Sequence, residues 1–388
     1  MALLLVLTLL GGWCRLVAAA TGPEACGTPV CHNSTTAWSG DGPRMNEYRA
    51  WRDEDAHRHS RAILLDDRSQ QIARRLGGEP ADRRADCLAC HADTTDAAAD
   101  VGCATCHGTG DWVAVHSRPG ASHTANVAAG LYPADDPRRR AELCANCHVG
   151  GRAPAVVDHR LLAAGHPRLV LDLDTLSTLQ PAHYRSRGRG KRRSTAAALW
   201  ATGQGVALAR RLERAADTAT ASGGWPDPAA FDCASCHHQL GVRPASVAPP
   251  ATVGLPQAEA SARVAYGVAL AAIAPSDVAQ LDAADDVRAT LATVDAWRPD
   301  PASLRALLVG LAAAGADGAP PSYTTAEQLF YGIQATLVTI KKRDALDQRT
   351  RRRVRRHVRR LYEEIAAHDR YDARAFQAAL RAIRAALG

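Results

Sequence analysis

Four times in this chain two cysteines stand three residues apart with a histidine directly after the second. The runs are Cys87-Leu88-Ala89-Cys90-His91, Cys103-Ala104-Thr105-Cys106-His107, Cys144-Ala145-Asn146-Cys147-His148 and Cys233-Ala234-Ser235-Cys236-His237. Two thiols at this spacing share one turn of chain, and the next residue carries an imidazole on the same side. That arrangement suits haem attachment: the thiols add to the two vinyl groups and the histidine reaches the iron. Structural zinc and disulfides also use paired cysteines, but neither asks for a histidine after the second one. With fifteen His in 388 residues, four such histidines by chance have a likelihood of roughly 10⁻⁶.

A fifth pair, Cys26-Gly27-Thr28-Pro29-Val30-Cys31-His32, has four residues between its thiols and again ends in Cys-His. Gly27 and Pro29 let the insertion bulge, so the two sulfurs can still bridge one porphyrin edge; the competing reading is a Cys26–Cys31 disulfide. The expected cofactor is therefore haem c at five sites, four of them carried by the regular motif. Cys26, Cys31, Cys87, Cys90, Cys103, Cys106, Cys144, Cys147, Cys233 and Cys236 bind it covalently, and His32, His91, His107, His148 and His237 are the proximal ligands.

The sixth ligands follow from counting donors. Met45 is the one methionine beyond Met1, so Met cannot serve generally and the distal ligands are expected to be histidines. The leading candidates are His57, His116, His166 and His159, the last two seven residues apart and on one helical face if the segment is helical. His183 and His238 are weaker candidates. His59, His123, His357 and His368 complete the non-motif set.

The elements that must position these groups divide along the chain. Residues 1–20 combine an apolar run with Ala18-Ala19-Ala20, which reads as a signal peptide and places the mature protein in the periplasm or another exported compartment. The run is shorter than the roughly 20 apolar residues a membrane span needs. The ten remaining cysteines lie between Cys26 and Cys236, so residues 21–243 are expected to form the haem domain. A Pro-rich linker follows at 244–256 and a helical domain at 257–388.

Short helices are expected in the first part, such as Ser69 to Leu76 closed by Gly77, and a longer one after Ser194-Thr195 carrying Leu199, Val206 and Leu212. In the tail, Val354, Val358, Leu361 and Ile365, then Phe376, Leu380, Ile383 and Leu387, repeat at helical spacing. Another helix starts near Thr324-Thr325 with Glu327 or Gln328 completing a capping box, and buries Phe330, Ile333, Leu337 and Ile340. No strand-like alternation stands out. The fold class is mainly α: a haem-packed domain with little regular sheet, then a helical C-terminal domain.

Residues 26 to 148 resemble the cytochrome c-554 family, the tetrahaem proteins that take electrons from hydroxylamine oxidoreductase. The matching features are the first Cys-His, Trp51, Ala56-His57, Asp86-Cys87 to His91, Gly102 to Gly108, His116 and Cys144 to His148. The resemblance implies that His57 and His116 are distal ligands and that the haem on Cys87, Cys90 and His91 lacks a protein sixth ligand. The widened first motif, the Cys233 site and the tail depart from the tetrahaem pattern, so the chain reads as an expanded, pentahaem relative.

The net charge of +7 falls to about +1 once Arg15 is removed and each of five ferric haems contributes −1, so basicity gives no argument for nucleic acid. Basic clusters at 185–193 and 349–360 are either solvated faces or docking surfaces for acidic redox partner proteins, and they lack the interleaved aromatics of base readout. The expected function is periplasmic electron transfer through mostly bis-His haems, with membership of a membrane redox complex as a further reading. The alternative is an oxidoreductase acting on a small nitrogen or sulfur species at one five-coordinate haem, which an open iron would reveal.

Overall fold

The computed structural model describes residues 22–40, 42–184, 194–221, 227–233, 236–237, 260–276, 281–343, 345–367 and 370–388. The signal segment, the Pro-rich linker and the 185–193 cluster, like His238 and His368, lie outside the described residues. Among those described the protein is helical and holds no β-strand, as the patterning requires.

The first half is built from short helices: α1 (Pro23–Cys26), α2 (Glu47–Glu54), α3 (Asp67–Leu76), α4 (Ala85–His91), α5 (Cys103–His107), α6 (Trp112–His116), α7 (His123–Ala128), α8 (Pro137–Ala145), α9 (His159–Ala163) and α10 (Leu173–Leu179). Glycine and proline set their lengths. α5 is bounded by Gly102 and by Gly108 at φ 74°, so the motif occupies one isolated turn. α3 ends at Gly77 as expected but begins two residues early, with Asp66 instead of Ser69 in the N-cap position and no side-chain capping bond. Its apolar residues are few: Ile72 packs with Leu161 and Ala164, and Ala73 with Leu64 and Ala81. Such thin clusters suit a domain whose interior is completed by large flat cofactors.

The second half is a bundle of α11 (Ala196–Ala221), α12 (Ser261–Ile273), α13 (Ala284–Ala296), α14 (Pro301–Ala316), α15 (Tyr323–Arg343), α16 (Gln348–Ala366) and α17 (Ala373–Leu387). The expected apolar stripes face its core: Val354 and Leu361 of α16 and Phe376, Leu380 and Ile383 of α17 are buried. α15 buries Phe330, Ile333 and Ile340 as its pattern demands, while Leu337 is half-buried. Its first turn is capped two residues before Thr324, by the Ser322 hydroxyl, which accepts from Thr325 N.

One apolar core runs without a break from Ala141 to Leu387. α11 precedes the expected linker yet packs among the helices that follow it, with Trp200 fully buried. Close approach of α11 to α15 rests on Gly332, where a Cβ would come within 2.6 Å of the Trp200 ring. The same helix reaches the other way. Arg210 donates to the Asn146 side chain at 3.1 Å, and Arg214 donates to the carbonyls of Val149 at 2.9 Å and Val157 at 3.0 Å. The bundle thus holds the turn that carries Cys147 and His148, and an Arg138–Asp295 ion pair adds a second tie from α8 to α13.

Candidate functional site: five histidine pairs beside five cysteine pairs

Each motif histidine is faced by one non-motif histidine. The ring centroids lie 5.9 Å apart for His32 and His116, 6.5 Å for His91 and His166, and 6.3 Å for His107 and His183. For His148 and His57 the separation is 6.4 Å, and for His237 and His159 it is 6.1 Å. Two imidazoles bound on opposite sides of one metal, each nitrogen about 2 Å from it, have centroids about 6.3 Å apart. All five pairs fall near that value. Ring pairs can also pack at such distances, but all five share the spacing that leaves room for one atom between two imidazoles.

The thiols fit the same cofactor. None of the ten described cysteines is joined in a disulfide, so Cys26 and Cys31 are not bonded to each other in this structure. Among the described residues no group of three or more His, Cys, Asp or Glu converges as a zinc site would require. The donors come instead as two imidazoles with a cysteine pair alongside, the set a covalently bound bis-His haem uses.

The first motif shows how its wider loop is absorbed. Cys31 N donates to Thr28 O at 3.0 Å and His32 N to Cys26 O at 3.1 Å, so the insertion turns back on itself and returns His32 to the first cysteine. Gly27 is needed there, because a Cβ would lie 2.6 Å from the Tyr48 ring. In the second motif His91 and both cysteines share α4, and His91 Nδ1 donates to Ser60 O at 3.1 Å. The third is the deepest: burial pushes His107 down to about 4, so its ring is neutral and free to bind metal at ordinary pH. In the fourth, α8 passes into a π-helical turn at Asn146–Gly150 that carries Cys147 and His148. The fifth lies at the surface, with Cys233, Cys236 and His237 all exposed.

Several ligand-pair histidines have their outer nitrogen fixed. His32 Nδ1 donates to Glu47 at 2.8 Å and His57 Nδ1 to Asp55 at 2.8 Å. His166 and His183 donate to the carbonyls of Pro167 at 2.7 Å and Pro181 at 3.1 Å. A donor bond from Nδ1 leaves Nε2 as the lone-pair nitrogen, the tautomer a metal needs.

The sites adjoin in pairs. The Cys26 thiol lies beside Cys103, joining the first site to the third, and Cys90 lies beside Cys147, joining the second to the fourth. Cys106 feels the charge of Cys144 and Cys147, which brings the third beside the fourth. The fifth connects through α9, whose first residue is His159 and which packs on α3.

His57, His116, His159 and His166 each lie opposite a motif histidine. Two expectations change. His159 and His166 do not share a helical face: α9 ends at Ala163, and Gly165 at φ 111° turns the chain so that the two rings serve different sites. The open position implied by the resemblance for the Cys87 site is faced by the His166 ring, because that same turn carries the chain back over α4 from beyond the matching region. His183, a weak candidate from sequence, completes the set. His123 instead pairs with Asp135 at 3.2 Å, and among the described residues neither His59 nor His357 faces another histidine.

Residues 25–108 match the family model described as cytochrome c554 and c-prime. No curated protein and no solved structure matches the chain. The matched stretch holds the first three motifs and His57, and covalently bound haem c is what this family carries. Over residues 25–108 the chain is thus similar to the cytochrome c554 and c-prime family.

Proposed function

We propose that the chain carries five c-type haems, each between two imidazoles, and relays electrons through them in an exported compartment. The observation that carries the reading is the five ring pairs at 5.9 to 6.5 Å, each joining one motif histidine to one histidine from elsewhere. The regular motif accounts for four sites, and the closed turn between Cys26 and His32 supports the fifth.

When bound, the haems supply one-electron chemistry without bond making. The chain's part is to fix both axial imidazoles, keep the groups close, and exclude water from most of them. Two strong-field ligands held rigidly keep the iron low-spin in both oxidation states, so little rearrangement opposes electron transfer. The adjacency of the sites gives a continuous path: first to third, third to fourth, fourth to second, with the exposed fifth site at the margin as an entry or exit point. An enzymatic reading needs an iron with a free face, and each proximal ring is instead opposed by an imidazole.

Docking partners are proposed to be acidic redox proteins. α16 turns Arg349, Arg352, Arg355, Arg356, Arg359 and Arg360 outward, opposite its buried Val354 and Leu361. Near-infrared magnetic circular dichroism of the oxidised protein tests the ligation. Bis-His charge-transfer bands alone are expected; a His/Met band or a high-spin haem in the native protein overturns it.

A further inference from the structure

The outer hydrogen bonds of the ligand rings are unequal. His91, His166 and His183 donate to backbone carbonyls of Ser60, Pro167 and Pro181, and His148 is held by the Val170 carbonyl. His32 and His57 donate instead to carboxylates, Glu47 at 2.8 Å and Asp55 at 2.8 Å. These are two different sites, the first and the fourth.

Both carboxylates are built into place. Glu47 spends its second oxygen on Arg44 N at 2.6 Å and Met45 N at 3.1 Å, and Asp55 also accepts from His57 N at 3.0 Å. Asp55 is 4% exposed, so water screens its charge little. Among the described residues neither carboxylate forms an ion pair with Arg or Lys, so no side-chain cation competes with the imidazole for its charge.

A carboxylate drawing on the Nδ1 proton makes the other nitrogen a stronger donor to the metal, and its charge favours the more positive oxidation state. Carbonyl acceptors do the same more weakly. The third site lacks such a carboxylate: among the described residues neither of its rings is bonded to one, and His183 donates to the Pro181 carbonyl instead. It also lies between the other two, against Cys26 on one side and Cys144 on the other.

We propose that Glu47 and Asp55 are positioning residues that make the His32/His116 and His57/His148 sites the two lowest-potential haems, flanking a higher-potential site at His107/His183. The proposal rests on the five-haem reading above. On stepwise one-electron reduction by an external reductant such as dithionite, these two irons accept their electrons last. On oxidation they give them up first.

The test is a potentiometric titration of the haem-loaded protein, followed optically and by electron paramagnetic resonance, for the unsubstituted chain, Glu47→Gln and Asp55→Asn. Each substitution keeps the shape and removes the charge. One of the two lowest steps is expected to move upward in each variant, a different one in each, while haem content stays at the unsubstituted value. Unmoved lowest steps, or movement of a higher step instead, overturn the proposal. Should Glu47→Gln load poorly, Glu47→Asp restores the carboxylate and is expected to restore both loading and the low step. A second measurement needs no change at these residues: the low-spin signals lost last on reduction must be the ones that His57→Ala and His116→Ala abolish. If other signals are lost last, the proposal fails. A shortfall of haem in the unsubstituted protein contradicts the five-haem reading itself and is seen before any titration.

Discussion

Asp172 stands where the haem segment meets the bundle, and its charge is held there at a cost. Burial is the main cause that pushes its carboxyl up to about 6, with Asp174 and Glu327 adding repulsion and the Thr175 amide opposing it. One oxygen accepts from Thr175 N at 2.7 Å and caps α10; the other is buried without a partner. An unfolded Asp titrates near about 3.9, so the gap is worth about 3 kcal/mol. The folded state holds this proton more tightly than the unfolded state. The contribution of Asp172 to stability is therefore greatest below about pH 4, is lost as pH rises to about 6, and stays lost above that.

Asp172→Asn keeps the cap acceptor and removes the charge, while its buried amide costs about 1 kcal/mol. The variant should therefore be more stable than the native chain by about 2 kcal/mol at pH 7.5, and no more stable at pH 4. Guanidinium unfolding of the haem-loaded protein, followed by far-ultraviolet circular dichroism at both pH values, measures this. Equal stability at pH 7.5, or the same gain at both pH values, refutes the reasoning.

Replacing His166 or His183 by Ala should turn one haem per chain high-spin and let carbon monoxide bind the reduced protein at one equivalent, whereas His357→Ala leaves the spectrum unchanged. At the bundle seam, Gly332→Ala places a Cβ within 2.6 Å of the Trp200 ring and should cost roughly 1–3 kcal/mol, read as a lower denaturation midpoint with haem content unaltered. Arg355→Glu with Arg359→Glu should slow electron exchange with an acidic partner protein several-fold at low salt and leave the rate at high salt almost unchanged.

The covalent chemistry was open to reading because it is local: Cys87 to His91 is one turn of helix, and its spacing alone aligns the three groups. The amphipathic helices 348–366 and 373–387 were legible for the same reason, their stripes repeating within a single element. Distal ligation is long-range. His183 reaches His107 across 76 positions of sequence, with Pro181 fixing its ring, and nothing near His183 marks it apart from His123. The pairing of His166 with His91 turned on the backbone sign at Gly165, which no periodicity carries. The place of α11 in the bundle likewise depends on a distant contact, Trp200 finding Gly332 far downstream.

Intact mass of the mature protein, read beside its pyridine haemochrome, tests the central claim most directly. Five bis-His sites predict a mass above the bare polypeptide by five haems and five equivalents in the haemochrome assay, with no free thiol at any of the ten cysteines. Four haems with a Cys26–Cys31 disulfide would contradict the fifth site, and bound zinc in place of haem would contradict the account as a whole.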